Sequence, residues 1–504
     1  MENMKLEDPE AAHPMLKQPL ERVRDWFSGV RAGESHYGLL QGNEAGSSTD
    51  LPMAESSGRS SPFSRLSTSW RPMSPKAFFW VLVPSYIARI FGHATENSII
   101  PAPNKTSYLN GLRGIASLIV ALQHTIDGDY PLIHRAWGDS EESVYVVQLP
   151  FIRLIHSGVF MVSVFFVISG FALTYGPLSK SYAAQSAPGG QGPNPISSFP
   201  SSIFRRPFRL FLPTIPIIAV STALVPFSAF YALNSTEPMG PVADGFWSHV
   251  YYVWTTLITI ITSGSANTVM PQGWTLAAEY QGSLLVFLAC MAFIRMSPMV
   301  RLPATVLLLI YSFNLQRATN CLFIAGMFIA DFRLFRAKLP DLPKMVRTAV
   351  TVTSWLLLVP IIFLGCWPMH GDATQAPIYS WFAGFNTFGF GVHPFFQGTC
   401  AVALVLVLEN LPVLQRVLNT KPVLYLGEVS FSFYLVHWGC GKNFLSYGLK
   451  LKMLAAGYSL IVSWSTLFVI AMLSIIVLGD LHWRLVDQKS VTFSHWLAKR
   501  LGVS

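Results

Sequence analysis

Apolar residues recur in long runs along most of the chain, and short polar stretches separate the runs. A helix needs about 20 predominantly apolar residues to cross a membrane. Runs that approach this length predict crossings at 109–126, 158–176, 209–230, 276–294, 302–316, 318–332, 348–366, 395–413, 423–440 and 458–480. A shorter run at 249–263 is interpreted as embedded in the membrane without crossing it. The pattern therefore predicts an all-α membrane protein, a polytopic bundle of about ten transmembrane helices.

The chain before the first crossing has a different pattern. Residues 1–75 are rich in Ser, Pro, Gly and mixed charge, which predicts a disordered cytosolic tail. In residues 76–107 the apolar part is short and contains Pro84 and Arg89, which favours an amphipathic segment lying in the interface. We assign residues 108–490 to the membrane domain and residues 491–504 to a short cytosolic end.

Composition agrees with a membrane protein. Charged residues make up 12% of the chain, apolar residues 51%, and the mean hydropathy is +0.42. That charged share is about half of what soluble proteins carry, too little to cover the surface of a soluble globule. The net charge of +9 does not indicate nucleic-acid binding, because no run of five or more basic residues exists.

The distribution of Lys and Arg predicts the topology. If the N-terminal tail is cytosolic and 249–263 does not cross, cytosolic segments after residue 107 carry 17 Lys and Arg, and the opposite side carries six. If 249–263 crossed, the cytosolic count would fall to eight and the other would rise to 15. We therefore expect both termini to be cytosolic, in the endoplasmic reticulum or plasma membrane. The sequon Asn234-Ser-Thr236 would then be lumenal and glycosylated.

The sequence predicts no metal site and no permanently bound cofactor. Five cysteines occur without CxxC or similar spacing, and none of the 12 histidines forms an HExxH motif. The cysteines lie in or beside apolar runs, which favours buried apolar roles.

Two ionisable residues share one face of the first predicted crossing. Arg113 and His124, in NGLRGIASLIVALQHT, are 11 residues apart, close to three helical turns. They would lie about 16 Å apart along the helix axis. His124 is either a catalytic group or a helix-end histidine bonded to a backbone carbonyl. The following Asp127 carries no weight as part of an HxxxD element, because the spacing is one residue short.

Three further groups stand out, since ionisable residues inside a bilayer are costly and favour function. Arg205, Arg206 and Arg209, in FRRPFRLFLP, are either topology anchors or a phosphate clamp, because Arg forks match phosphate oxygens. Glu279 lies near the lumenal end of an apolar helix, where it is either unpaired and protonated or near a histidine that it orients and charge-balances. His437, in LGEVSFSFYLVHW, is expected near the lumenal end of its helix, at a depth in the membrane similar to that of His124 and Glu279.

Five segments together resemble the acyltransferase 3 family of multi-pass membrane O-acyltransferases. YLNGLRGIASLIVALQH resembles its opening helix, marked by Arg, ten residues and His. GVFMVSVFFVISGFAL, FRRPFRLFLP, WTLAAEYQGSLL and LGEVSFSFYLVHW resemble its other motifs in the family's order. GMFIADFRL and HWRLVDQKSV are similar to the filamentous-fungal branch. Glu428 stands where family members usually carry Lys or Arg, so a contact on the cytosolic side is expected to differ.

The resemblance implies transfer of an acyl group, commonly acetyl, from acyl-CoA to a hydroxyl of a small-molecule, sugar or lipid acceptor. Arg205, Arg206, Arg209 and Arg113 would bind the CoA phosphates. His124 would be the general base and Glu279 would steady its imidazolium.

Tyr434 and His437 would orient substrate or stabilise the oxyanion. The partners implied are therefore acyl-CoA, a hydroxyl-bearing acceptor and the bilayer. The alternatives are a small-metabolite transporter and a scaffold. A transporter often has related halves, and no convincing internal repeat is found. A scaffold has no need of Arg113 and His124 on one helical face.

Overall fold

The computed structural model describes residues 75–93, 102–127, 130–187, 192–225, 244–264, 269–439 and 448–503. Every regular element within these ranges is helical, and none of them contains a strand. The predicted all-α fold is therefore confirmed. The predicted disordered tail and Asn234 lie outside the described residues.

Residues 75–93 form two short helices, α1 (Pro75–Leu82) and α2 (Ser85–Ile90). The break falls at Pro84, which lacks the N–H that a continuous helix would use. The Trp80 ring stacks on the His93 ring with centroids 4.1 Å apart. The segment predicted to lie in the interface is thus too short and too broken to cross a membrane.

Residues from 102 onward form a second unit, which contains all the remaining helices. They are α3 (Ser107–Ile126), α4 (Gly158–Ser186), α5 (Phe199–Phe211), α6 (Thr214–Leu224), α7 (Phe246–Thr262), α8 (Trp274–Phe293), α9 (Pro298–Asn314), α10 (Ala318–Arg336), α11 (Lys344–Gly365), α12 (Val392–Leu408), α13 (Pro412–Leu418), α14 (Lys421–Val436), α15 (Gly448–Ala455), α16 (Leu460–His482) and α17 (Gln488–Arg500). The loop between α3 and α4, here called the α3–α4 loop, contains three short 3-10 helices, Pro131–His134, Val146–Gln148 and Ile152–His156.

Six helical segments of the described chain are long and apolar enough to cross a membrane. They are Gly158–Ser186, Phe199–Leu224, Pro271–Phe293, Ala318–Arg336, Lys344–Gly365 and Leu460–Arg500. A seventh is obtained if α12 and α13, which meet at a 101° bend, form one span. These helices make the chain an integral membrane protein, but the predicted count of ten is not confirmed.

The remaining predicted crossings correspond to helices that are shorter or more polar. Helix α9 has 17 residues and α14 has 16. Helix α3 has 20 residues, but it contains Asn110, Arg113, Gln123 and His124 and is mostly buried by its neighbours. A helix surrounded by other helices can carry polar side chains because they face protein partners and avoid lipid. The run at 249–263 is helix α7, and it is not among the segments that could span the membrane.

Helices α3 and α14 approach each other closely because glycines lie at their crossing. A Cβ atom added to Gly114 would lie 2.4 Å from the backbone nitrogen of Gly427, and one added to Gly427 would lie 2.4 Å from the Asn110 oxygen. Only glycine allows this contact of backbones. The crossing brings the two helices that carry His124 and His437 together.

The last helix continues beyond the predicted crossing. A π-helical turn, Trp483–Asp487, joins α16 to α17, so the chain is helical to Arg500. Ser490, Ser494 and Ala498 are buried, and α17 packs on α5. The π-helical turn also aims Asp487 into the interior. Such turns insert one residue into a helix and are frequent at functional sites.

Candidate active site

A cavity of about 160 Å³ lies among helices α3, α4, α5, α8 and α14 and the π-helical turn. Its charged lining residues are Arg113, Arg206, Arg209, Glu279 and Asp487. Most of the other lining residues are apolar, with Thr275 and Tyr434 among the polar ones. The cavity therefore combines a charged end with an apolar interior, as small-molecule sites do.

The three neighbouring arginines of α5 have three different environments. Arg206 is 9% exposed, pairs with Glu279, and donates from Nε to Ser283 Oγ at 3.1 Å. Arg205 lies outside the cavity lining, and its guanidinium contacts the exposed ring of His495. Arg209 lines the cavity near Asp487, and the two opposite charges attract each other. The predicted cluster is therefore divided among an ion pair, a contact outside the cavity and a cavity cation.

Arg113, like Arg209, faces the cavity without a direct ion pair. Its Nη2 donates to the Gly427 carbonyl at 2.7 Å, and its buried Nε has no hydrogen-bond partner in the described chain. The nearby Glu428 is buried and accepts a hydrogen bond from Asn110 Nδ2 at 2.8 Å. Its charge attracts Arg113. Glu428 stands where the family that the sequence resembles usually carries Lys or Arg, and it thus places a carboxylate near Arg113.

His124 lies at the other end of α3, about 16 Å along the axis from Arg113. Its Nδ1 is 3.0 Å from Asp127 Oδ2. Its ring stacks on the His437 ring with centroids 5.4 Å apart, and the Trp438 ring packs edge-on at 5.1 Å. The imidazole is therefore held at one nitrogen and on its faces, while the side chain remains 29% exposed.

Asp127 is shared by two histidines, because its Oδ1 lies 2.5 Å from Nε2 of the buried His134. Burial opposes ionisation of Asp127, but its interactions with the imidazoles of His124 and His134 outweigh it and hold its pKa well below the usual range. Close by, burial lowers the pKa of His156 to about 4, and its ring contacts the Val147 carbonyl at 3.0 Å. Asp127 is thus anionic and His156 neutral at neutral pH.

Tyr434 connects the cavity to the two stacked histidines. Its hydroxyl is 2.8 Å from Thr275 Oγ1, and its ring lines the cavity. The same ring lies 5.2 Å from the His437 ring, whose Nδ1 is 2.5 Å from the Tyr434 carbonyl. Tyr434 therefore stands at the boundary between the charged cavity and the histidine site.

The structure brings most of the predicted site residues into two adjoining groups. Arg113, Arg206, Arg209, Glu279 and Tyr434 line the cavity. His124 and His437 stack beside it, and Arg205 belongs to neither group. The expected partnership of Glu279 with His124 is not found, because Glu279 pairs with Arg206 and the carboxylate at His124 is Asp127.

Sequence reasoning missed Asp127, His134 and Asp487. Asp127 had a usable signal, since residues three apart on a helix are neighbours and His124 is three residues before it. His134 reaches the site only because the α3–α4 loop folds back. Asp487 enters the cavity through the π-helical turn, which no periodicity predicts.

Comparison with known proteins identifies the family of the chain. The family profile described as an acyltransferase domain matches residues 106–484. The chain is thus a polytopic membrane acyltransferase, an enzyme that transfers acyl groups other than aminoacyl groups to its acceptors. The chain belongs to the acyltransferase 3 family.

Three fungal relatives cover most of the chain. The O-acetyltransferase PaAT-1 of Phomopsis amygdali is 29% identical over 81% of this chain and 87% of its own length. The acyltransferase clz18 of Cochliobolus lunatus is 22% identical over 74% of this chain and 93% of its own. The acyltransferase R4 of a Phoma species is 22% identical over 67% of this chain and 82% of its own length. No solved structure matches the chain.

Proposed function

We propose that this protein is a membrane-bound O-acyltransferase that moves an acyl group, acetyl in the first instance, from acyl-CoA to a hydroxyl of a small-molecule, sugar or lipid acceptor. The reaction takes place in the endoplasmic reticulum or plasma membrane, with both termini of the chain cytosolic. The acetyl assignment is supported by the relative named as an O-acetyltransferase. No permanently bound cofactor is part of the proposal.

The donor end of the site is the charged end of the cavity. Acyl-CoA is an anion with several phosphate charges, and guanidinium groups bind phosphate oxygens through two parallel hydrogen bonds. Arg113 and Arg209 face the cavity without a direct ion pair, so they are the proposed phosphate ligands. Arg206 is held by Glu279 and Ser283, and we assign it to shaping the cavity wall.

His124 is the proposed general base. Its Nδ1 is next to Asp127, which leaves Nε2 to accept the proton of the acceptor hydroxyl. The hydroxyl oxygen then attacks the thioester carbon, the C–O bond forms as the C–S bond breaks, and the proton passes from His124 to the departing thiolate. Tyr434 and His437, which lie between the cavity and His124, would orient the thioester or stabilise its oxyanion.

One observation carries the proposal. The cavity extends from the arginines to Tyr434, and Tyr434 contacts the His437 ring that stacks on His124. A phosphate-bearing donor held at the arginines can therefore extend its acyl end toward a histidine base. This order of anion ligands, apolar passage and base is what an acyl-CoA thioester needs.

The test is acceptor-dependent release of CoA thiol by membranes that contain the protein. Membranes would be incubated with acetyl-CoA and polar or lipid extracts of the native host, and the products compared by mass with controls lacking acetyl-CoA. We expect thiol release together with a product one acetyl group heavier. No thiol release above that of membranes lacking the protein, across extracts and acyl chain lengths, would contradict the proposal and leave the transporter alternative.

A further inference from the structure

The α3–α4 loop contributes a second histidine to the carboxylate that contacts His124. Asp127 Oδ2 is 3.0 Å from His124 Nδ1, and Asp127 Oδ1 is 2.5 Å from His134 Nε2. The two oxygens of one carboxylate therefore hold two imidazoles that come from different elements. Such bidentate use fixes the plane of the carboxylate as well as its position.

His134 is itself fixed by a network around its backbone. Its side chain is only 2% exposed. Its carbonyl accepts hydrogen bonds from Arg153 Nη2 at 3.2 Å, from the Met369 N–H at 3.0 Å and from the His370 N–H at 3.2 Å. Its ring packs against the rings of His156 and His370, with centroids 5.3 and 5.8 Å away. His134 is therefore a rigid support for Asp127.

The arrangement determines which nitrogen of His124 can act. An ionised carboxylate only accepts hydrogen bonds, so the nitrogen that faces it carries the hydrogen. Nδ1 faces Asp127, so Nε2 carries the lone pair. Within the described residues Nε2 of His124 has no hydrogen-bond partner, and the ring is braced by His437 and Trp438. His124 is thus prepared in one tautomer and one orientation.

We propose that Asp127 is a positioning residue for the acyl transfer, and that His134 holds Asp127 in place from the α3–α4 loop. The inference rests on the proposed function, in which His124 Nε2 receives the hydroxyl proton. Asp127 accepts no proton in the reaction. It fixes the tautomer of His124, and it stabilises the imidazolium until His124 gives the proton to the departing thiolate. The pair is thus a dyad of base and orienting carboxylate, supported by a second histidine.

The first experiment compares Asp127→Asn with Asp127→Glu in purified protein, measuring kcat, KM for acetyl-CoA and CoA binding. Asparagine presents an amide that does not specify the tautomer, so we expect kcat to fall by about 10²–10⁴-fold. Donor KM and CoA binding should stay within about twofold, since the arginines are untouched. Asp127→Glu should recover part of kcat, because it restores the carboxylate at a slightly displaced position.

A second pair of variants tests whether His134, in the α3–α4 loop, supports Asp127. His134→Gln keeps an N–H donor toward Asp127 and should retain more kcat than His134→Leu, which removes the donor at similar bulk. The control is Asp372→Asn, an exposed helix-cap change on another loop, where asparagine caps as well as aspartate. Its kcat should equal that of the wild type.

The outcomes separate this inference from the proposed function. An inactive His124→Ala with a fully active Asp127→Asn would overturn the positioning role and leave His124 as the base. An active His124→Ala would overturn the proposed mechanism itself. Loss of CoA binding in Asp127→Asn, in step with kcat, would overturn the inference too, because Asp127 would then be supporting the whole fold.

Discussion

At the scale of single residues, the structure separates side chains that the sequence groups together. Arg205, Arg206 and Arg209 lie within five positions, and their spacing alone favours one shared role. In the structure Arg205 contacts His495, Arg206 pairs with Glu279, and Arg209 lines the cavity. Each arginine is therefore expected to respond differently to neutralisation.

We predict that Arg209→Gln raises the KM for acetyl-CoA about tenfold or more, with a small change in kcat. The reason is the loss of charge-assisted hydrogen bonds to phosphate, worth about 1.5–3 kcal/mol. Arg205→Gln is the matched control, because Arg205 lies about one helical turn from Arg209 on α5 but outside the cavity lining. It should change KM by less than about twofold. Equal effects of the two substitutions would show that Arg209 is only a topology anchor.

His124, the proposed general base, also shows what sequence can and cannot predict. Ten residues between Arg113 and His124 were enough to place both on one face of α3. The HTID segment is one residue short of an HxxxD element, and that comparison does not reveal Asp127 as the partner of His124. The local i, i+3 geometry brings Asp127 to His124, whereas His134 comes from a loop whose path no pattern predicts.

At the scale of elements, the crossing of α3 and α14 positions the two stacked histidines. The backbones meet at Gly114 and Gly427, and Arg113 bonds to the Gly427 carbonyl at the same point. Helix α14 then carries Tyr434 and His437 along the side of α3 toward His124. The spacing between these helices therefore controls the distance between the His124 and His437 rings.

We predict that Gly114→Ala lowers both the melting temperature and kcat. The added Cβ would lie 2.4 Å from the Gly427 nitrogen, so the helices must separate, and overpacking of this kind costs about 1–3 kcal/mol. Thermal unfolding in detergent and turnover at matched protein concentration provide the measurements.

The control for this prediction is Gly398→Ala in α12. There the added Cβ would meet Leu322 at 3.6 Å, an ordinary contact, and alanine favours the helix more than glycine does. We expect an unchanged or higher melting temperature and normal turnover. If Gly114→Ala were as stable and active as Gly398→Ala, the close crossing would have no role in positioning the site.

Apolar runs in the sequence predict the fold class more reliably than they predict the number of membrane crossings. Runs such as 158–176 and 318–332 correspond to long apolar helices, and the fold class followed from them. The run at 109–126 became a helix enclosed by others, which tolerates Arg113 and Gln123 because they face protein. Hydropathy measures transfer into lipid, so it does not establish whether a helix enclosed by protein crosses the membrane.

At the scale of the whole molecule, topology decides which end of the site faces the cytosol. The proposed arrangement puts the arginine end of the cavity toward cytosolic acyl-CoA. It also puts Asn234 on the opposite side, although that residue lies outside the described part of the chain. A second sequon, Asn104-Lys-Thr106, precedes α3. In it, Asn104 Oδ1 accepts a hydrogen bond from the Thr106 N–H at 2.8 Å.

We predict that glycosidase treatment shifts the mass of the wild-type protein, and that Asn234→Gln abolishes the shift. Asn104→Gln is the matched control and should leave the shift intact, because Asn104 is expected on the cytosolic side and beside the membrane. Sugar on Asn104 with none on Asn234 would reverse the orientation. The cavity arginines would then face away from the cytosolic donor.

The turnover of His124→Ala is the sharpest test of His124 as the general base. We expect acyl transfer to fall about 10²–10⁴-fold, because the general base is removed, while acetyl-CoA binding is retained through Arg113 and Arg209. The rates must be compared at equal abundance of folded protein in the membrane. Near-wild-type turnover in His124→Ala would show that His124 is not the general base, and the family relationship would then support the fold alone.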